Sequence, residues 1–109
     1  MTDEPLTITD RPTERRYEAR LGDRLAGWVE YGRVSSRLIA LHTEVLPEFG
    51  GRGIASALVR RVLDDARADG IKVTPRCPFF VAHFERHPED ADLMAGSPGS
   101  PQPREKPRA

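Results

Sequence analysis

The sequence has a single cysteine, Cys77, so an internal disulfide is excluded and a reducing, cytoplasmic setting is expected. No apolar run approaches membrane-spanning length, and no membrane partner is expected. The start carries Asp3 and Glu4 in place of the apolar stretch of a signal peptide. Neither sign of charge is in excess: 17 Lys+Arg balance 17 Asp+Glu, which argues against a nucleic-acid binder. No internal repeat is visible.

The 109 residues allow one domain at most. Residues 96–109, GSPGSPQPREKPRA, hold no large apolar side chain and are read as a disordered tail. Residues 1–14 are polar and read as a flexible segment, in which Leu6 and Ile8 can add an edge strand. Residues 15–95 remain as the domain. A core of roughly 80 residues is marginal on its own, so a ligand or a second copy would help it. A monomer or weak homodimer is the expected state.

Within the domain, Tyr17, Ala19 and Leu21 alternate with Glu18 and Arg20, the period of a strand. Gly22 and Asp23 mark a turn. Leu25 to Tyr31 alternate again, and the two segments predict an antiparallel hairpin. A second turn is expected over Gly32 to Ser36. Leu38 to Val45 follow as a more apolar strand. Strict alternation puts Ile39, Leu41, Thr43 and Val45 on one face and Leu38, Ala40, His42 and Glu44 on the other. The period then lengthens. Ile54, Leu58, Val62 and Ala66 recur every four residues, opposite Arg60, Arg61, Asp64 and Arg67, which predicts an amphipathic helix ended by Gly70. A short strand over Ile71 to Thr74 comes next. A second helix starts near Pro78 and is stopped or restarted at Pro88. Three antiparallel strands, then helix, strand and helix, define an α/β class with a mixed (α+β) sheet and a right-handed crossover.

Between the third strand and the long helix lies Pro47-Glu48-Phe49-Gly50-Gly51-Arg52-Gly53-Ile54-Ala55-Ser56. Its glycines let the backbone approach a ligand closely, and the first amides of the helix lack partners inside it. With the positive end of the helix dipole, these amides suit a phosphate, and Arg52 adds charge. A plain glycine turn is the competing reading. The loop is not a Walker A sequence, since no Gly-Lys-Ser/Thr follows. The antiparallel strands before it exclude a Rossmann fingerprint.

This segment resembles motif A of the GNAT acetyltransferase superfamily, Arg/Gln-x-x-Gly-x-Gly/Ala, with Gly53 and Ala55 at the matching positions. Gly50 stands where the family usually has Arg or Gln. The chain also resembles a short stand-alone subgroup, the YjdJ-type N-acetyltransferase-like proteins. That likeness lies in Leu41-His42-Thr43-Glu44-Val45, Arg52-Gly53-Ile54-Ala55, Cys77-Pro78-Phe79 and His87-Pro88-Glu89. The resemblance implies a small GNAT-like fold and acetyl-CoA as co-substrate. It implies that amides from Gly51, Arg52, Gly53, Ile54, Ala55 and Ser56 bind the pyrophosphate. The main chain of Val45 and Leu46 would meet the pantetheine arm, with the Val45 amide polarising the thioester carbonyl.

Acetyl transfer to an amine needs a proton acceptor, a carbonyl polariser and an acid for the leaving thiolate. His42 and Glu44, two apart on one strand, share a side, and either is a candidate proton relay. A solvated Glu beside a paired His is the plain alternative. Cys77 precedes Pro78 and so falls at a helix N-cap, where the dipole favours thiolate. The subgroup resemblance points to the same cysteine. Cys77 is a candidate nucleophile, a candidate proton donor, or a small packing residue. His83 and His87 lie one helical turn apart, but with Cys77 they make three ligands, so no metal is expected. His83 stands where the subgroup places a tyrosine, and Asp90 replaces an expected aromatic, which predicts weaker packing there. The function expected is transfer of an acetyl group from acetyl-CoA to an amine, on a small molecule or on a protein or peptide. The alternatives are a non-catalytic acyl-CoA-binding module and a ligand-free interaction domain.

Overall fold

The computed structural model describes residues 5–34 and 36–95, so the tail expected over 96–109 lies outside the described residues. The strands are β1 (Leu6–Arg11), β2 (Arg16–Leu21), β3 (Arg24–Val34), β4 (Arg37–Val45) and β5 (Lys72–Pro75). The helices are α1 (Ile54–Asp69) and α2 (Pro78–Arg86), with 3-10 turns over Pro47–Phe49 and Pro88–Leu93. The sheet order is β1-β2-β3-β4-β5, antiparallel except for the β4–β5 pair, which is parallel. The fold is thus the mixed α/β class the periodicity predicts. The edge strand around Leu6 and Ile8 forms in full register with β2. The turn expected from Gly32 is shorter, because β3 continues to Val34.

α1 crosses from β4 to β5. Its buried residues, Leu58, Val62, Leu63 and Ala66 among them, lie on the apolar stripe. Each large aliphatic side chain buried this way contributes about 1.5–3 kcal/mol. Gly70 closes the helix in the left-handed conformation, φ 69°, with its amide on the Ala66 and Arg67 carbonyls. α2 adds Phe80 and Phe84 to the same core, which also holds Tyr17, Val29, Ala40 and Val73. Among the described residues no helix covers the opposite face of β2, β3 and β4.

The alternation expected along β4 fails at one residue. His42 pairs with Glu30 and Ala40 pairs with Tyr31, so Leu41 is an extra residue, a bulge. Thr43 therefore joins Leu38 and Ala40 on the core face, while His42 and Glu44 join Ile39 on the outer face. The face assignment from strict alternation is corrected accordingly. Leu41 is left 49% exposed. A second bulge sits at Ala26, between the pairs Ala19–Gly27 and Arg20–Leu25.

Candidate active site

β4 and β5 stay together for four register pairs only, the last being Ala40 with Pro75. Pro75 has no amide hydrogen, Arg76 N–H makes one more bond to the Ala40 carbonyl at 3.0 Å, and the chain then turns into α2. From Leu41 to Val45, β4 has β3 on one side and a wedge-shaped gap on the other. The Leu46 amide donates to the Ala26 carbonyl at 2.8 Å. Antiparallel alternation then turns the backbone groups of Glu44 and His42 toward β3, and those of Thr43 and Val45 toward the gap.

The far end of the gap is the glycine loop. The Pro47–Phe49 turn closes with the Gly50 amide on the Pro47 carbonyl, 3.1 Å. Gly51 and Gly53 both have positive φ, 77° and 75°, and an added Cβ on either would meet nothing within 4 Å. Gly53 is the N-cap of α1 and offers no side-chain cap, nor does the first turn contain an acidic residue. The amides of Ile54, Ala55 and Ser56 are therefore open toward whatever lies before the helix. Phe49, buried beside this loop, has Arg52 at 5.8 Å and Arg24 at 5.0 Å from its ring centre. Two guanidiniums thus flank the loop. Arg24 opens β3, remote in sequence, and no local pattern singles it out.

Cys77 is the N-cap of α2 and 1% exposed. Its Sγ lies 3.1 Å from Thr43 Oγ1, bridging the core side of the gap. His42 Nε2 and Glu44 Oε1 are 3.0 Å apart on the outer face, both well exposed. The structure brings His42 to Glu44, and it turns the Val45 backbone toward the gap while tying that of Leu46 to Ala26 and Phe49. It does not bring Cys77 to the His42–Glu44 pair, because β4 stands between them. Thr43, the cysteine's partner, escapes the sequence because alternation points it to the wrong face.

The two departures at the end of α2 meet each other. His83 and Asp90 are both buried, with Nε2 and Oδ2 2.9 Å apart. Arg60 and Arg67 reach Asp90 at 3.0 and 3.2 Å. Burial works to raise the Asp90 pKa, but hydrogen bonds from His83 and Arg60 outweigh it and hold the carboxyl below its usual range. His87 stacks on His83 at 4.3 Å. A polar cluster thus fills the place where a missing aromatic predicts looser packing.

A family model described as GCN5-related N-acetyl-transferase matches residues 16–93, nearly the whole described domain. The chain belongs to the GCN5-related N-acetyl-transferase family. Solved structures agree with this in fold. A GCN5-like protein from Staphylococcus aureus superposes with a TM-score of 0.65 at 21% identity, covering 91% of this chain and 95% of that one. A ribosomal-protein-alanine N-acetyltransferase from Brucella melitensis gives 0.57 at 20% identity, over 79% of this chain and 64% of the other. The ribosomal-protein-S18-alanine N-acetyltransferase of Escherichia coli gives 0.52 at 17%, over 55% and 41%. No curated protein matches the chain. As a GCN5-related N-acetyl-transferase this one is short, spanning nearly all of the first structure but well under two thirds of the last. No helix among the described residues is long and apolar enough to cross a membrane.

Proposed function

We propose that this chain transfers the acetyl group of acetyl-CoA to an amine. The observation that carries the reading is one continuous path: the wedge between β4 and β5 opens directly onto the uncapped, glycine-lined start of α1. The amides of Gly51 to Ser56 hold the pyrophosphate, and Arg52 and Arg24 supply the charge that Gly50 does not. The main chain of Val45 aligns the pantetheine arm in the gap, while that of Leu46, spent on the Ala26 carbonyl and the Phe49 amide, holds the end of β4 in place. The outward amides of Val45 and Thr43 polarise the thioester carbonyl, whose carbon then takes the amine nitrogen. His42 and Glu44 take the proton the amine loses, and their 3.0 Å contact allows it to pass between them. Cys77 Sγ–H, held on Thr43 Oγ1, returns a proton to the departing coenzyme A thiolate. Within the family we assign the chain to the YjdJ-type subgroup, acting in the cytoplasm.

The decisive experiment is incubation with acetyl-CoA, read by calorimetry, intact mass and turnover on an amine panel. Binding with turnover is expected, and Cys77→Ala should cut kcat about tenfold or more while leaving coenzyme affinity unchanged. An acetyl adduct on Cys77 would make the cysteine a nucleophile instead of an acid. Binding without turnover on any amine would establish the acyl-CoA-binding module in place of the enzyme. No binding at all would sink both.

A further inference from the structure

The outer face of the sheet holds a groove of 580 Å³ at the end nearest the Leu41 bulge. Glu14, Arg15, Arg16, Glu30 and Leu41 are among the residues that line it. Its charges, two of each sign, are not paired with one another. Glu14 is engaged by Arg11 at 3.0 Å, and Arg16 is held on Glu18. The Arg15 side chain has no hydrogen-bond or ion-pair partner among the described residues. Glu30 accepts one bond from Trp28 Nε1 at 3.1 Å and has no cation partner among the described residues. The groove therefore presents one exposed guanidinium and one exposed carboxylate, neither of them in an ion pair among the described residues.

Arg15 also occupies a costly conformation. Its φ is 58°, the one positive value on a non-glycine residue among those described. A glycine or asparagine would sit there with less strain. The turn is fixed by the Arg15 amide on the Pro12 carbonyl and by the Arg15 carbonyl accepting from the Tyr31 amide, 3.1 and 3.0 Å. A strained residue whose side chain makes no internal bond points to a role outside the fold.

The groove borders the place where chemistry is proposed. Glu30 is the register partner of His42, and Leu41 precedes His42 in the chain. An amine resting on Glu30 sits beside the His42–Glu44 relay. An acidic group on the same molecule then meets Arg15. A diamine would bring its second cation against Arg15 and Arg16, and an amine with no acidic group would leave Arg15 without an ion-pair partner. We propose that this groove binds the acetyl acceptor, and that the acceptor is a small amine that also carries a carboxylate, a free amino acid or dipeptide. The inference rests on the acetyltransferase reading and names its substrate class.

The test is acetyl-CoA-dependent acetylation of glutamate, aspartate and Asp-Gly, against their methyl esters, spermidine and an Asp-initiated decapeptide. Titration of the CoA-saturated protein with glutamate and its dimethyl ester reads the same contrast without turnover. The acids should exceed the esters and spermidine by at least about tenfold in kcat/KM, the loss of one charge-assisted bond. Arg15→Gly should erase that preference and raise the acceptor KM about tenfold, leaving acetyl-CoA affinity unchanged and Tm no lower. A merely structural Arg15 would lower Tm and leave acceptor KM alone. Equal use of acids and esters, preference for spermidine, or a decapeptide used as well as the dipeptide would overturn the assignment. Failure to bind acetyl-CoA would instead overturn the reading beneath it.

Discussion

Gly27 and Glu44 touch across β3 and β4 so closely that a Cβ on Gly27 would lie 2.6 Å from the Glu44 carbonyl oxygen. The same Cβ would lie 3.3 Å from Val45 Cα and Cγ2. The nearest obstacles are backbone atoms, so relief requires β4 itself to shift at the segment proposed to hold the thioester.

Gly27→Ala should therefore do two things together. Overpacking should cost about 1–3 kcal/mol of stability, and acetyl-CoA should bind several-fold more weakly. Gly32→Ala is the control on the same strand, since its nearest neighbour, Ile39 Cβ, is 4.0 Å away. Thermal melts and calorimetry on both variants check the pair. Unchanged coenzyme affinity in a folded Gly27→Ala protein would detach Gly27 from the site.

The glycines at the two ends of α1 separate strain from binding. Gly53 and Gly70 have φ of 75° and 69°, with open space around each. Alanine at either should cost roughly 1–2 kcal/mol from the left-handed backbone alone. Acetyl-CoA affinity should fall for Gly53→Ala and stay level for Gly70→Ala. Equal affinities in the two variants would argue against the loop as the pyrophosphate cradle.

Much of this architecture is legible in the chain because its signals are local. The four-residue recurrence from Ile54, the glycine after Asp69 and the proline after Cys77 each act within one turn of helix. The bulge at Leu41 is not legible. Ala40, Leu41 and His42 suit either face of a strand, and only pairing with β3 decides which is the extra residue. Arg15 is hidden for the opposite reason. The turn Pro12-Thr13-Glu14-Arg15 contains no glycine or asparagine to announce a positive φ. Arg24 reaches the glycine loop only through the fold. The His83–Asp90 pair spans a helix end and Pro88, a geometry that periodicity does not describe.

That pair predicts a non-additive result. Asp90→Asn should destabilise by about 1–3 kcal/mol, since a buried group loses its charge-assisted partners. Arg60 and Arg67 are 42% and 50% exposed and can return to water. The double variant His83→Tyr/Asp90→Phe should thus be more stable than the sum of its single changes by roughly 0.5–3 kcal/mol. Urea denaturation of the four proteins in the cycle measures it, and strict additivity would mean the two positions are independent.

Stability should fall on the acid side. The hydrogen bond from Arg16 lowers the Glu18 pKa against the opposing effect of burial, and Asp90 is lowered as described. Folded values below the unfolded range of about 4 mean that this stability is complete above that pH and is lost as pH falls through the folded values. Tyr17 and Tyr31 are raised, chiefly by burial, so their contribution is complete below about pH 10 and is lost above it. Tm should be level between about pH 5 and 9 and decline outside that window. Glu18→Gln should flatten the acid limb, and a limb of unchanged slope would remove Glu18 from the account.

The early parting of β4 from β5 gives this protein a sheet with an edge in its interior. Strand edges elsewhere are hazards that invite another chain, yet this one is short, running only from Leu41 to Val45. An extended amide-bearing molecule can complete it as a missing strand completes a ladder. On the proposed reading, the coenzyme's arm would be a structural member as well as a reagent, completing the small domain while it is bound. Amide exchange at Thr43 and Val45 should slow on binding acetyl-CoA far more than at Glu44, whose amide already belongs to β3.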